Sequence, residues 1–156
     1  VALRNVLFDV VKRQAKLGDF GMARRGTTYV LKAKERIPIF WAAPELLQSH
    51  IHSPPAGVYA YGVFLKELCS PEKPVYEGIT NEKVKEQVTS GNLRPRFVEG
   101  APAVLVEIAS LCFNQCPTDR PPMIQILRNY LKRRDASARN EAVSRVYGRW
   151  SADQEL

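Results

Sequence analysis

Cysteine is scarce in this chain of 156 residues: there are three, Cys69, Cys112 and Cys116. So small and odd a number excludes a disulfide framework and points to a reducing, intracellular compartment. Histidine is scarcer, with only His50 and His52. Both lie far in sequence from Cys112 and Cys116, so no spacing here suits a metal site. The two thiols read as small hydrophobes and the histidine pair as a solvated loop. Long hydrophobic runs are missing too. The longest, Val58 to Leu65, falls well short of the roughly 18 apolar residues that span a bilayer. The stretch Val1 to Asn5 has neither the charged start nor the apolar core of a signal peptide. The 9 glycines and 11 prolines follow no period, which excludes collagen-like and linker readings.

What is present suits a folded domain. Hydrophobic residues make up 45% and charged residues 25%, ordinary values for a chain that buries a core. Acidic residues number 16 against 23 basic ones, for a formal charge of +7. The surplus concentrates in Arg24, Arg25, Lys32, Lys34 and Arg36, and again in a tail containing Lys132, Arg133, Arg134, Arg139, Arg145 and Arg149. No aromatic residues interleave these charges and no nucleic-acid module is recognisable. They therefore read as solvated faces, with neither nucleic acid nor membrane as a partner.

The apolar pattern predicts a mostly helical chain with one small strand pair. Asn5 to Phe8 and Gln14 to Leu17 are strand candidates about a polar turn. Gly18 to Trp41 has no clean period and reads as a long, functional loop. Pro44 to Gln48 predicts a short helix, and Pro54-Pro55 reads as a break. Val58 to Cys69 is apolar nearly all round, the mark of a helix buried on most sides. Thr80 or Asn81 caps a helix running to Ser90, stopped by Gly91; Pro102 opens another, and Pro121-Pro122 a last one.

Several short motifs then occur in one order. Asp19-Phe20-Gly21 follows a strand candidate, Ala43-Pro44-Glu45 lies downstream, and Val1-Ala2-Leu3-Arg4-Asn5 precedes both. Cys112-Phe113, Pro117, Arg120 and Pro121 complete the series. Together they resemble the C-terminal lobe of a protein kinase, from the end of the catalytic loop onward. Arg4 directly before Asn5, and Ile37-Pro38-Ile39-Phe40-Trp41 before the Ala-Pro-Glu motif, resemble the tyrosine-kinase group. The resemblance implies a mainly α fold, a helical bundle around a buried central helix with a short β-hairpin, truncated relative to a whole catalytic domain. It covers residues 1–133 and leaves 134–156 as a charged, unassigned tail.

The same resemblance implies roles. Asn5 and Asp19 would hold Mg²⁺ on ATP, hard oxygen ligands for a hard cation. Leu7 would floor the adenine pocket, Arg4 would position the catalytic loop, and Phe20 would pack inward and report the state of the loop. Pro38 and Trp41 would form a platform for a substrate tyrosine, with Phe40 in place of the usual basic residue. Glu45 and Arg120 would form a buried ion pair. Tyr29, the one tyrosine between Asp19 and Glu45, is the expected regulatory phosphosite, with the surrounding basic residues to receive the phosphate.

Two departures bear on activity. The family's catalytic aspartate falls just before Val1, so the base and the N-terminal lobe lie outside this chain. Gly57 stands where the pattern has an aspartate at the start of the central helix, which the family uses to accept hydrogen bonds from the catalytic-loop backbone. Two functions follow as expectations. One is part of a cytoplasmic tyrosine kinase domain, inactive alone, with protein tyrosine substrates and its own N-lobe as partners. The other is a pseudokinase-like binding module.

Overall fold

A computed structural model describes residues 1–21, 28–32, 35–130 and 132–133. Arg24, Arg25, Thr27, Lys34, Leu131 and the tail 134–156 lie outside the described residues. The chain forms two units, Val1–Pro122 and Met123–Leu156. In the second, residues 123–130 are helical, as the spacing of Met123, Ile126, Leu127 and Tyr130 predicts.

The first unit opens with a 3-10 turn, Leu3–Asn5, and an antiparallel hairpin of β1 (Val6–Asp9) and β2 (Gln14–Leu17). Its register pairs Val6 with Leu17 and Asp9 with Gln14. Asn5, expected in the strand, belongs to the turn before it. In the hairpin loop the Asp9 carboxylate accepts the Lys12 N–H at 2.9 Å, and Arg13 takes a left-handed φ of 51°. A second ladder lies inside the region expected to be loop. It joins β3 (Tyr29–Val30) to β4 (Ile51–His52), antiparallel, with Tyr29 opposite His52. Between them sits α1 (Pro44–Ser49), which His50 closes in the left-handed conformation.

The central helix α2 spans Pro54–Cys69 and starts earlier than its apolar run suggests. Pro54 and Pro55 do not break the chain; they occupy the first turn, where a missing N–H costs nothing. Ser53 caps the helix by accepting the Ala56 N–H. Helix α3 (Asn81–Thr89) is capped by Thr80, and Gly91 follows it with a φ of 82°. Helix α4 (Ala103–Cys112) follows Pro102. The core gathers Ala43, Leu47, Tyr59, Val63, Val84 and Val88, all 2% exposed or less. Each such Leu or Val contributes roughly 1.5–3 kcal/mol by leaving water.

Two glycines of α2 do opposite things. A Cβ on Gly62 would stand 2.8 Å from Cys112 Cβ and 2.8 Å from the Phe113 ring, so this glycine lets α4 approach. A Cβ on Gly57 would meet nothing within 4 Å. The same substitution should therefore have opposite signs at the two sites. Gly62→Ala is expected to cost about 1–3 kcal/mol by overpacking, and Gly57→Ala to add about 0.5–1 kcal/mol through helix propensity. Urea denaturation of the two variants measures both.

Candidate functional site

The site is assembled by the first hairpin and by the segment that returns to α1. Asn5 accepts the Gly18 N–H through its backbone carbonyl at 2.7 Å, one step beyond the Val6–Leu17 pair. That bond sets Asn5 beside the Gly18-Asp19 corner. Asp19 has a left-handed φ of 56°, which an aspartate tolerates, and its Oδ1 accepts the Gly21 N–H at 3.3 Å. Asn5 and Asp19 both line a cavity of about 630 Å³, with Arg4, Tyr29, Trp41 and Gly57 also on its wall.

An amide oxygen and a carboxylate on adjoining segments are hard donors that fit Mg²⁺, which keeps water or phosphate oxygens for its other positions. No group of three or more His, Cys, Asp or Glu side chains exists among the described residues to hold a metal by protein ligands alone. Leu7 is 65% exposed on β1, outside the cavity wall. Phe20, expected to pack inward, is instead 68% exposed. It stands on the cavity wall with Leu17, which is itself more than half exposed.

Pro38 and Trp41, expected to form a substrate platform, are held by several contacts. Pro38 starts the 3-10 turn Ile39–Trp41 and its carbonyl accepts the Trp41 N–H. The Arg4 guanidinium lies 4.5 Å from the centre of the Trp41 ring, a cation–π contact. The Trp41 indole N–H donates to Glu67 Oε2 at 2.9 Å, and the same oxygen accepts the Leu3 backbone N–H at 2.9 Å. Phe40 turns to the core, edge-on to Tyr76 at 5.6 Å.

Tyr29 is half-buried in the β3–β4 ladder. Its hydroxyl donates to the Glu35 carboxylate, 3.0 Å from each oxygen, and Glu35 also accepts the Lys32 N–H at 2.8 Å. Tyr29 thus donates to an acid, while Lys32 and Arg36 are exposed. His52, opposite Tyr29 and on the cavity wall, has its pKa lowered, chiefly by burial.

Glu45 and Arg120 meet as a bidentate pair, Nη1 to Oε1 at 2.7 Å and Nη2 to Oε2 at 2.9 Å. The guanidinium also donates to the carbonyls of Pro55, Asn114 and Gln115, and lies 5.2 Å from the centre of the Tyr59 ring. It is 5% exposed and uses every face it has. Glu67 and Glu35 escaped the sequence reading, and His52, expected in a solvated loop, stands in β4 on the cavity wall. Glu67 left one trace, a charged pair with Lys66 inside an otherwise apolar helix.

The turn that presents Asn5, the Asp-Phe-Gly corner and Trp41 share one cavity wall, and with the buried Glu45–Arg120 pair outside it they match the C-terminal lobe of a protein kinase. The family model for protein tyrosine and serine/threonine kinases matches residues 1–130, and the chain belongs to that family. Among its relatives, insulin receptor-related protein of Cavia porcellus is 37% identical over 120 residues, covering 75% of this chain and 9% of that protein. Mast/stem cell growth factor receptor Kit of Canis lupus familiaris is 32% identical over 131 residues, covering 82% and 13%. Macrophage colony-stimulating factor 1 receptor of Felis catus is 36% identical over 132 residues, covering 81% and 13%. The chain therefore spans only 9% to 13% of the length of these relatives.

Removing either partner of the Glu45–Arg120 pair strands a buried charge. Arg120→Ala and Glu45→Ala are each expected to cost about 3–5 kcal/mol. Arg120→Lys should recover little, because an ammonium cannot reach two carboxylate oxygens and three carbonyls together. Denaturant midpoints of the three variants check this.

Proposed function

We propose that residues 1–133 are the C-terminal-lobe part of a tyrosine kinase catalytic domain, with 134–156 as its tail. In the complete domain it would transfer the γ-phosphoryl group of ATP to tyrosine side chains of proteins, on the cytoplasmic side of the membrane. The observation that carries this reading is Arg4 stacked on Trp41, with Asn5 and Asp19 on the same cavity wall. It joins the catalytic-loop turn to a flat aromatic platform suited to a phenol. Among the described residues no helix is long and apolar enough to cross a membrane.

The chain's own residues divide the work. Asn5 and Asp19 would hold Mg²⁺ with ATP, and the bound ion supplies charge neutralisation on the phosphates. Pro38 and Trp41 orient the substrate tyrosine, and Arg4 holds the platform against the catalytic loop. Leu7 on one face of the exposed hairpin, and Phe8 and Leu17 on the other, suit contact with adenine and with the domain's own N-lobe. Phe20 and Tyr29 are the regulatory positions. Phosphorylating Tyr29 would remove the proton it donates to Glu35 and set a phosphate against that carboxylate, so the loop would have to rearrange. Glu45 and Arg120 are structural.

A second reading, a pseudokinase-like binding module, draws on Gly57: the carboxylate of the family pattern is absent and the space beside it is open. Activity separates the two. The 156-residue chain alone should not phosphorylate tyrosine peptides, since it carries no assigned general base, a group worth about 10²–10⁴-fold. Joined to an upstream kinase segment that carries the base and N-lobe, it should transfer phosphate to a tyrosine peptide with Mg²⁺. Asp19→Ala should abolish that transfer, and Tyr29→Phe should remove its activation by prior phosphorylation. A folded joined protein without transfer would favour the binding module.

A further inference from the structure

The resemblance places the anchor of the catalytic-loop backbone at position 57, and this chain has glycine there. Yet a carboxylate of α2 does hold that backbone. Glu67 lies ten residues further along the helix, about 15 Å away at the usual helical rise. Its Oε2 accepts the Leu3 N–H and the Trp41 indole N–H, each at 2.9 Å. The Arg4 guanidinium lies over the indole ring, 4.5 Å from its centre. One oxygen thus joins three segments: the turn that presents Asn5, the platform that ends in Trp41, and the central helix.

The geometry points to Glu67 as the positioning residue of this site, registering the catalytic-loop turn against the substrate platform in place of an aspartate at position 57. This rests on reading residues 1–5 as the catalytic loop and Pro38–Trp41 as the platform. The contacts of Glu67 are the same whatever role those segments have. A carboxylate oxygen takes two N–H donors readily, and bonds to an ionised acceptor are the stronger kind. Among the described residues the backbone bonds of the 3-10 turn Leu3–Asn5 begin with the Asn5 N–H, so the Leu3 N–H is held by Glu67 and not by its own turn. Withdrawing the oxygen therefore releases the loop and the indole together. Lys66, next to Glu67, plays no part in this; it is turned to the carbonyls of Lys73 and Pro74.

The test uses the full chain with Trp150→Phe, so that Trp41 gives the single indole N–H signal. Two quantities are read: the Trp41 indole N–H chemical shift and the hydrogen-exchange rate of the Leu3 amide. Glu67→Ala should move the indole proton upfield and speed Leu3 exchange by about tenfold or more. Glu67→Asp keeps the charge and loses the reach, so it should behave like Glu67→Ala. Glu67→Gln keeps the reach and loses the charge; its amide oxygen should hold both signals near their original values. If Glu67→Asp leaves both signals unchanged, the carboxylate is not a contact anchor and the proposal fails. It fails too if Glu67→Ala moves one signal without the other, because one oxygen then does not serve both donors. Neither readout involves phosphoryl transfer. A joined protein that folds without transferring phosphate would sink the kinase reading and leave these signals where they are.

Discussion

The Arg120 guanidinium is the point on which the lobe depends. Its five N–H donors reach Glu45 in α1, the Pro55 carbonyl in the first turn of α2, and the carbonyls of Asn114 and Gln115 after α4. Pro54 and Pro55 make that first turn poor in N–H groups but keep its carbonyls, and the Pro55 oxygen, within the helix ladder, also accepts from Arg120. A buried cation so fully engaged fixes the mutual positions of three helices and of the chain that precedes α1. The platform at Pro38–Trp41 stands only a few residues before Glu45, so its place follows from the anchor. A buried ion pair is weak evidence of net stability. In this arrangement it ties α1, the start of α2 and the segment after α4 to one side chain.

The central helix shows how one sequence element can carry several opposed demands. At Gly62 the helix must come close to α4, and any side chain would collide with Cys112 and Phe113. At Gly57 there is room and no neighbour. At Lys66 a charged side chain is 3% exposed, its ammonium capping two loop carbonyls and its pKa lowered, chiefly by burial. One turn of helix thus buries a cation and presents an anion, Glu67, to the site. An apolar helix tolerates both because each charge ends on hydrogen-bond partners rather than in hydrocarbon.

Much of this was legible in the order of residues, and the reasons differ by element. The hairpin, α3 and α4 carry their periods and caps openly: Thr80, Gly91 and Pro102 mark boundaries that backbone chemistry enforces. The start of α2 was misjudged because Pro54-Pro55 reads as a breaker when seen without the Ser53 cap. The β3–β4 ladder was invisible because two-residue strands have no period. Glu67 and Glu35 were missed because a lone carboxylate has no local signature; its meaning lies in donors that arrive from distant parts of the chain. Motif order placed Asn5, Asp19 and Trp41 in one site, but Phe20, expected to pack inward, stands exposed on the cavity wall.

The β3–β4 ladder changes the arithmetic of the segment it interrupts. Without it, the chain from Asp19 to Pro44 would be one long closure between fixed ends. With Tyr29 opposite His52 and the Leu31 N–H on the His50 carbonyl, that span becomes two shorter closures meeting at a clasp. Closure entropy grows only with the logarithm of length, by about 0.6 kcal/mol per doubling. Opening the clasp therefore adds little slack-related cost to either half, and the main expense is the few hydrogen bonds of the clasp itself. The described parts of the segment are thus fastened at three points: the Asp19 corner, the clasp, and the Glu45–Arg120 anchor.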